Sequence, residues 1–303
     1  MSAALEPFVV RTRVLLAAAP VAHFDESGVR VQGKLQGAHL ASTATRTAYT
    51  IHPNRGEKAM NAAGILPAFS GVAIHDRWGS YGTLLCEHGR CNVHHLRERQ
   101  AVLDLDGQPW AKATGDLLLS ADQAVRSAVA AGEDRLPPAQ LTALEARYER
   151  IAQGLDAHPL PDPPPSPRRG RLKQSKARNL VERLQLRKDA ALRFLHDFRV
   201  PFRNNQAERD IRMVKVKISG TFRSADAATD FWRIRGYIST VKKHGLPVLD
   251  CLRQALEGRP FLPPLHPLTN PATPRRHPTT TELGLPRSLP RPDPIIPPGT
   301  HTR

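Results

Sequence analysis

The hydrophobic pattern passes from mainly strand-like to helical near Asp76, and this restricts the fold more than any other feature. Before Asp76, short extended segments recur at Val21–Phe24, Gly28–Val31, Ala38–Thr43 and Arg46–Ile51, with alternating or β-branched residues and Gly between them. Period-two alternation sends successive side chains to opposite faces, so these segments read as an antiparallel meander. Asp25 falls at the end of the first segment. Gly56–Leu66 reads as a short helix, and the apolar run Gly71–His75 as a central buried strand that ends at Asp76. Strands, a helix and a further strand predict an α/β sheet, and both acids fall where such a sheet presents its strand ends to solvent.

Beyond Asp76 the chain reads as helical. Residues 93–103, 110–131 and 138–157 lack strand alternation, and Leu141, Leu144, Tyr148, Ile151 and Leu155 recur at steps of three and four, as in a helix that buries one stripe. Pro159–Pro167 reads as a linker, because so many prolines cannot continue a helix, and Arg168–Arg178 is strongly basic. Leu180, Leu184, Ala191, Leu195 and Phe198 mark one long amphipathic helix. Two more follow, one with Phe231, Ile234, Ile238 and Val241 on a face, the other starting near Pro247. From about Arg259 the sequence is rich in Pro, Thr and Arg without periodicity, which predicts a disordered tail. The expected divisions are therefore 1–90, 91–175, 176–258 and 259–303.

The 303 residues suffice for one large or two ordinary domains. Lys and Arg number 44 against 28 Asp and Glu, a formal net charge of +16, and such a surface concentrates phosphates before any specific contact forms. Nucleic acid is the expected partner, with an unfocused basic surface or an Arg-rich tail as the plainer alternative. Cys86, Cys91 and Cys251 are too few and too unevenly placed for a disulfide scaffold, which fits a reducing, cytoplasmic compartment. The longest apolar run near the N-terminus, Val14–Ala19, is far below the roughly 20 residues that span a bilayer. Glu6 before it and Pro20 after it fit a short buried element better than an export signal, so no membrane association is expected.

Three acids stand out by position: Asp25, Asp76, and Glu208 within Pro201-Phe202-Arg203-Asn204-Asn205-Gln206-Ala207-Glu208-Arg209. Phosphodiester chemistry with two divalent ions about 3.5–4 Å apart needs such carboxylates as hard ligands. Each acid also has a plainer reading. Asp25 suits a turn before Glu26-Ser27-Gly28, Asp76 an N-cap ahead of Arg77-Trp78, and Glu208 a capping box with Asn205. The last two roles are compatible, since a capping Asn205 can fix the helix start while Glu208 points elsewhere. Arg209, Arg212, Lys215, Lys217 and Arg223 follow, and read either as phosphate-neutralising residues or as a solvated basic face. Cys86, His88, Cys91, His94 and His95 are spaced loosely like a zinc site but lack the paired short Cys spacings of a ribbon or finger. One reading is a zinc-stabilised module on Cys86 and Cys91. The other makes Cys91 a small buried residue and sets His94 or His95, at a helix start, beside Asp76, where it could contact phosphate or orient a metal ligand.

Several segments, in order, carry a family likeness: His23-Phe24-Asp25-Glu26-Ser27-Gly28, Ile74-His75-Asp76-Arg77-Trp78 with Tyr81, Cys91-Asn92-Val93-His94-His95-Leu96-Arg97, Pro201 to Arg209, and Lys217-Ile218-Ser219-Gly220-Thr221-Phe222-Arg223-Ser224. Over roughly residues 10–258 the chain resembles the insertion sequence 66 transposases. The resemblance implies a ribonuclease H-like core interrupted by a large helical insertion, and an Asp-Asp-Glu triad at Asp25, Asp76 and Glu208 that holds Mg2+ or Mn2+. It implies cleavage of element ends and transfer of the freed 3′-hydroxyl to target DNA. The partners would be transposon ends, target DNA, further copies of the chain assembled on DNA, and accessory proteins encoded by the element. Family members usually begin with a helix-turn-helix and a cysteine-rich region, so this chain reads as a catalytic-core fragment or truncated copy; a non-catalytic DNA-binding remnant is the rival. Against the family pattern, Arg203 stands where Asp is usual, the segment from Met213 to Gly220 is shortened, and the aromatic that usually lies shortly before His39 is absent.

Overall fold

The first two strands are joined by a two-residue hairpin turn. β1 (Val21–Val31) passes through Gln32 and Gly33, both at positive φ (51° and 75°), into β2 (Lys34–Ser42). Two left-handed residues between strands paired at Val31 and Lys34 match the twist of a hairpin. These details come from a computed structural model that describes residues 1–76, 79–153, 174–217 and 220–265, with side chains left out for 213–217. Met1–Pro263 form one unit; of the other, Pro264–Arg303, only Pro264 and Leu265 are described.

β1 is one strand where two were expected. Residues from His23 to Val31 all have partners on β2, including Asp25 with Leu40, Glu26 with His39 and Ser27 with Ala38, so Asp25 lies within a strand and not in a turn. β3 (Thr47–His52) pairs antiparallel with β2. β4 (Val72–His75) is buried throughout and runs parallel to β1, and β5 (Glu87–Arg90) runs parallel to β4. The sheet order is β3-β2-β1-β4-β5, with a short β6 (Thr221–Phe222) against the far end of β1.

β5 escaped the sequence reading, which made everything after Asp76 helical. Its four residues contain no large apolar side chain, and it is held as a strand by close approach: a Cβ on Gly89 would meet Ile74 at 2.5 Å and Val200 at 3.1 Å. Gly89→Ala would overpack this contact at a cost of about 1–3 kcal/mol.

Helices cover both faces. On one lie α1 (Glu6–Ala17), through Leu16 and with Ala19 just beyond its end, and α2 (Glu57–Ala62), through Met60, packed with Ala22, Phe24 and Ala73. Val14–Ala19 is thus largely the end of an amphipathic helix, with Leu15 and Leu16 buried and Val14 exposed. Val72 and Ile74 face the other way, into the helices α3 (Asn92–Asp106), α4 (Pro109–Ala130) and α5 (Pro138–Ala152). α5 buries Tyr148 with Leu141, Leu144 and Ile151 packed alongside; Leu155, Pro159–Pro167 and the start of the basic stretch lie outside the described residues.

The long helix expected from Leu180 to Phe198 is two, α6 (Lys176–Leu186) and α7 (Lys188–His196), broken at Arg187 where φ is −126°. α8 (Asn205–Lys217) and α9 (Ala225–Lys243) then pack Ala207, Ile211, Ala228 and Trp232 on Val29, Val31, Leu40 and Tyr49. α10 (Val248–Leu256) closes against α1 and α9 through Cys251 and Ala255. Ordered packing continues past Arg259: Phe261 joins this cluster and its N–H donates to the Tyr237 hydroxyl at 3.0 Å. The expected tail from residue 266 lies outside the described residues.

Candidate active site

Strand register brings the two aspartates together. The β1–β4 pairing runs from Val21 with Val72 to His23 with Ile74, so Asp25 and Asp76 each lie two residues beyond its last pair. Carrying the β4–β5 pairing of His75 with Arg90 one residue on sets Asp76 opposite Cys91, whose N–H bonds the His75 carbonyl at 3.1 Å. Alternation puts Asp25 on the same face as His23, and Asp76 on the same face as Ile74. The Asp76 carbonyl is itself held, by Arg90 Nη1 at 2.7 Å and His75 Nδ1 at 2.6 Å.

Asn204 locks the start of α8 onto this row. Its amide nitrogen donates to the Phe24 carbonyl at 2.9 Å, its oxygen meets His23 Nδ1 at 2.8 Å, and its backbone N–H points to Cys91 Sγ at 3.2 Å. Asn204, and not Asn205, is the buried asparagine of the pair; Asn205 is the first helical residue and is exposed, one position later than a capping box requires. One turn on, Glu208 Oε1 lies 3.9 Å from Cys91 Sγ. Among the described residues, Cys91, His94 and Glu208 form the set whose ligand atoms all come within 4.8 Å of one another; Asp25 and Asp76 stand outside it. Burial pushes the Cys91 thiol up to about 11.

Of the two histidines at the α3 start, His94 is the one beside Glu208. His95 is buried and bonds Asn92. Cys86 and His88 take no part in the Cys91 set, and Cys86 is a free thiol.

The opposite face of the same strands carries a second polar group that the sequence reading missed. Glu26 is buried; the Tyr81 hydroxyl donates to its Oε2 at 3.1 Å and Arg55 lies 3.6 Å from Oε1. Burial, then the nearby charges of Asp76 and Asp25, pushes its carboxyl up to about 7. His75 stacks on Tyr81 with ring centroids 4.4 Å apart, and its Nε2 meets His88 Nδ1 at 2.9 Å. Burial holds His75 well below the usual histidine range, and its Nδ1 faces the Asp76 carbonyl, which can only accept.

The flank beyond Glu208 is basic and anchored. Lys243 on α9 reaches Asp210 Oδ2 at 2.8 Å, Thr47 Oγ1 at 2.6 Å and Ser42 Oγ at 3.0 Å, and Tyr49 donates to the Asp210 carbonyl at 2.8 Å. These bonds fix α8 on β2 and β3. An open cavity of about 320 Å³ lies between α8 and α9, with Arg209, Arg235 and Lys242 on its wall. Arg235 and Lys242 were not singled out from sequence, because α9 reads as a core helix. Arg209, Arg212 and Arg223 are exposed; the side chains of Lys215 and Lys217 lie outside the described residues, although both belong to α8.

Residues 1–230 match the model of the Transposase IS66 family. The chain belongs to that family. No curated protein matches. Among solved structures, a chain of the cryo-EM structure of the simian T-cell lymphotropic virus intasome in complex with PP2A regulatory subunit B56 gamma is similar at 10% identity, with a TM-score of 0.20. That match covers 51% of this chain and 57% of the other, and is too slight to carry an argument. Among the described residues, no helix of this transposase family member is long and apolar enough to cross a membrane.

Proposed function

We propose that this chain is the catalytic part of a DNA transposase with a ribonuclease H-like core, in which Asp25, Asp76 and Glu208 hold divalent magnesium or manganese. The observation that carries the reading is the parallel β1–β4 register, whose last pair, His23 with Ile74, lies two residues before Asp25 and Asp76 on both strands. The sheet order, an antiparallel meander continued by two parallel strands and followed by helices, supports the core assignment. The donor set fits a hard cation: carboxylate oxygens on adjacent strands, whose combined charge contributes to raising Glu26. Bound magnesium would activate the attacking oxygen and stabilise the leaving one.

The chain's own contribution is positioning. The Glu26 backbone N–H donates to Asp25 Oδ1 at 2.8 Å and orients that carboxylate, while Arg90 fixes the backbone at Asp76. Asn204 fixes the turn that presents Glu208. Arg209, Arg212, Arg223 and the α8 lysines would neutralise DNA phosphates without reading bases, so binding should weaken steeply with salt. The DNA partners would be element ends and target, on which several copies of the chain would assemble, with element-encoded accessory proteins, at the bacterial nucleoid.

A second reading, a DNA-binding remnant without cleavage, is favoured by one observation: Glu208 sits with Cys91 and His94 in the set that excludes the aspartates. Cleavage of labelled element ends under magnesium or manganese separates the two. Metal-dependent cutting that disappears with chelator and in Asp76→Ala, while DNA binding persists, supports the enzyme. No cutting by the intact chain with either metal supports the remnant.

A further inference from the structure

We propose that Cys91, His94 and Glu208 form a binding site for a single divalent transition-metal ion of the zinc class. Two places in the chain supply the three residues: Cys91 at the N-cap of α3 with His94 in its first turn, and Glu208 in the first turn of α8. Their convergence is a product of the tertiary structure, since Asn204 holds the α8 start against Cys91.

Three observations point to a metal. The ligand atoms of the three side chains lie within 4.8 Å of one another, and the Cys91 sulfur is 3.9 Å from Glu208 Oε1. Tetrahedral coordination at ordinary zinc bond lengths sets sulfur and oxygen ligands about 3.6 Å apart, so closing the site needs a side-chain adjustment of a few tenths of an ångström. His94 Nδ1 is buried and has no hydrogen-bond partner. A buried ring nitrogen left without a partner costs free energy, and a metal ion would relieve that cost.

Donor chemistry selects the ion. A thiolate with an imidazole and one carboxylate suits zinc or cobalt and not magnesium or calcium, which prefer all-oxygen sets. Coordination displaces the Cys91 thiol proton to solvent and leaves the sulfur as thiolate. Three protein ligands leave a fourth position for water or a substrate oxygen, unlike a closed structural finger. The site differs from the module expected on Cys86 and Cys91, because Cys86 lies outside it.

The inference does not rest on magnesium at the aspartates, although Glu208 figures in both. Absence of DNA cleavage leaves the zinc-class site standing, and absence of zinc-class binding leaves the cleavage reading standing.

The test is titration of the metal-stripped full chain with Co2+, followed by the thiolate-to-cobalt charge-transfer band, then displacement by Zn2+. One equivalent should produce the band and one equivalent of zinc should remove it. Cys91→Ser should abolish the band, and His94→Ala and Glu208→Gln should each weaken binding at least about tenfold. Cys86→Ala and Cys251→Ala should leave it unchanged. No band at one equivalent, or binding in His94→Ala and Glu208→Gln equal to that of the parent chain, overturns the proposal. Circular dichroism without metal verifies that each variant is folded; should buried Cys91→Ser fail to fold, the half-buried His94→Ala decides.

Discussion

Asp25 and Glu26 are adjacent in sequence and face opposite sides of one sheet. Asp25 is half-buried, on the face that also carries Asp76 and Cys91 and lies under α8. Glu26 is buried, holds the Tyr81 hydroxyl, and is pushed up to about 7 by burial and by its acidic neighbours. Two carboxylates one residue apart thus receive different chemistry from their surroundings, one placed among possible ligands, the other kept largely protonated below neutrality. The difference teaches that the sheet is not symmetric about its strand ends. One face gathers acids, a thiol and an imidazole from separate elements; the other ties its polar groups into a chain from Arg55 through Glu26 and Tyr81 to the His75 and His88 pair.

The widest separation of the faces should come from removing each carboxylate in turn. Asp25→Asn keeps the volume and removes the charge, and should lower metal-dependent cleavage by on the order of 10³-fold, as loss of a principal electrostatic group does. Glu26→Gln should keep most of the activity. Single-turnover cleavage of labelled element ends measures both; equal losses would erase the functional contrast between the faces.

The open face depends on α8 being anchored, and Lys243 is the anchor. Its side chain is 12% exposed, and Lys243→Met leaves the Asp210 carboxylate, also 12% exposed, without its cation. Breaking one half of such a pair costs about 3–5 kcal/mol, whereas an apolar replacement of both partners is often neutral. Denaturant unfolding should therefore show a large loss in Lys243→Met and substantial recovery in Lys243→Met with Asp210→Leu. If the single variant unfolds like the parent, α8 is held by its apolar contacts through Ala207 and Ile211 instead.

How much of this was legible in the sequence depended on whether the signal was local. The apolar run to His75 and the alternating segments marked the strands, and the three- and four-step spacing marked α5, because each is a property of neighbouring residues. β5 was invisible, since Glu87-His88-Gly89-Arg90 carries no strand pattern and its burial comes from Ile74 and Val200. The break at Arg187 was also missed, as neither Pro nor Gly marks it. Of the candidate site, Asp25, Asp76 and Glu208 were singled out by position and by family likeness. That Cys91 and His94 meet Glu208, and that Glu26 answers Tyr81, follows from contacts across 55 to 117 positions, which no local pattern encodes.

The closed face should reveal itself through pH. His39 pairs with Glu26 across β1 and β2, and burial, reinforced by the positive charges of Arg55 and His52, holds it down to about 4. Between pH 6.5 and 4 the unfolded chain takes up a proton that the folded chain refuses. This contribution is fully present above pH 6.5 and is lost as pH falls toward 4, by about 3 kcal/mol at most. His39→Gln should flatten the fall in stability over that window. The same slope in parent and variant would assign it to other buried histidines, of which His23 is also held near 4 by burial.

The smallest effect tests the link between the two faces. Tyr81 is 1% exposed and its hydroxyl reaches Glu26 at 3.1 Å, so Tyr81→Phe removes one buried bond and leaves the ring stacked on His75. A loss of about 1–2 kcal/mol is expected for a hydrogen bond to a buried carboxyl. The phenol steadies Glu26 in either protonation state, but it is the better partner for the carboxylate, so the deficit should be larger above pH 7 than below it. Cleavage should change little, because Tyr81 lies on the face away from Glu208. A deficit independent of pH would show that Glu26 keeps one protonation state throughout. A loss of cleavage comparable to that of Asp25→Asn would show that the two faces act as one site.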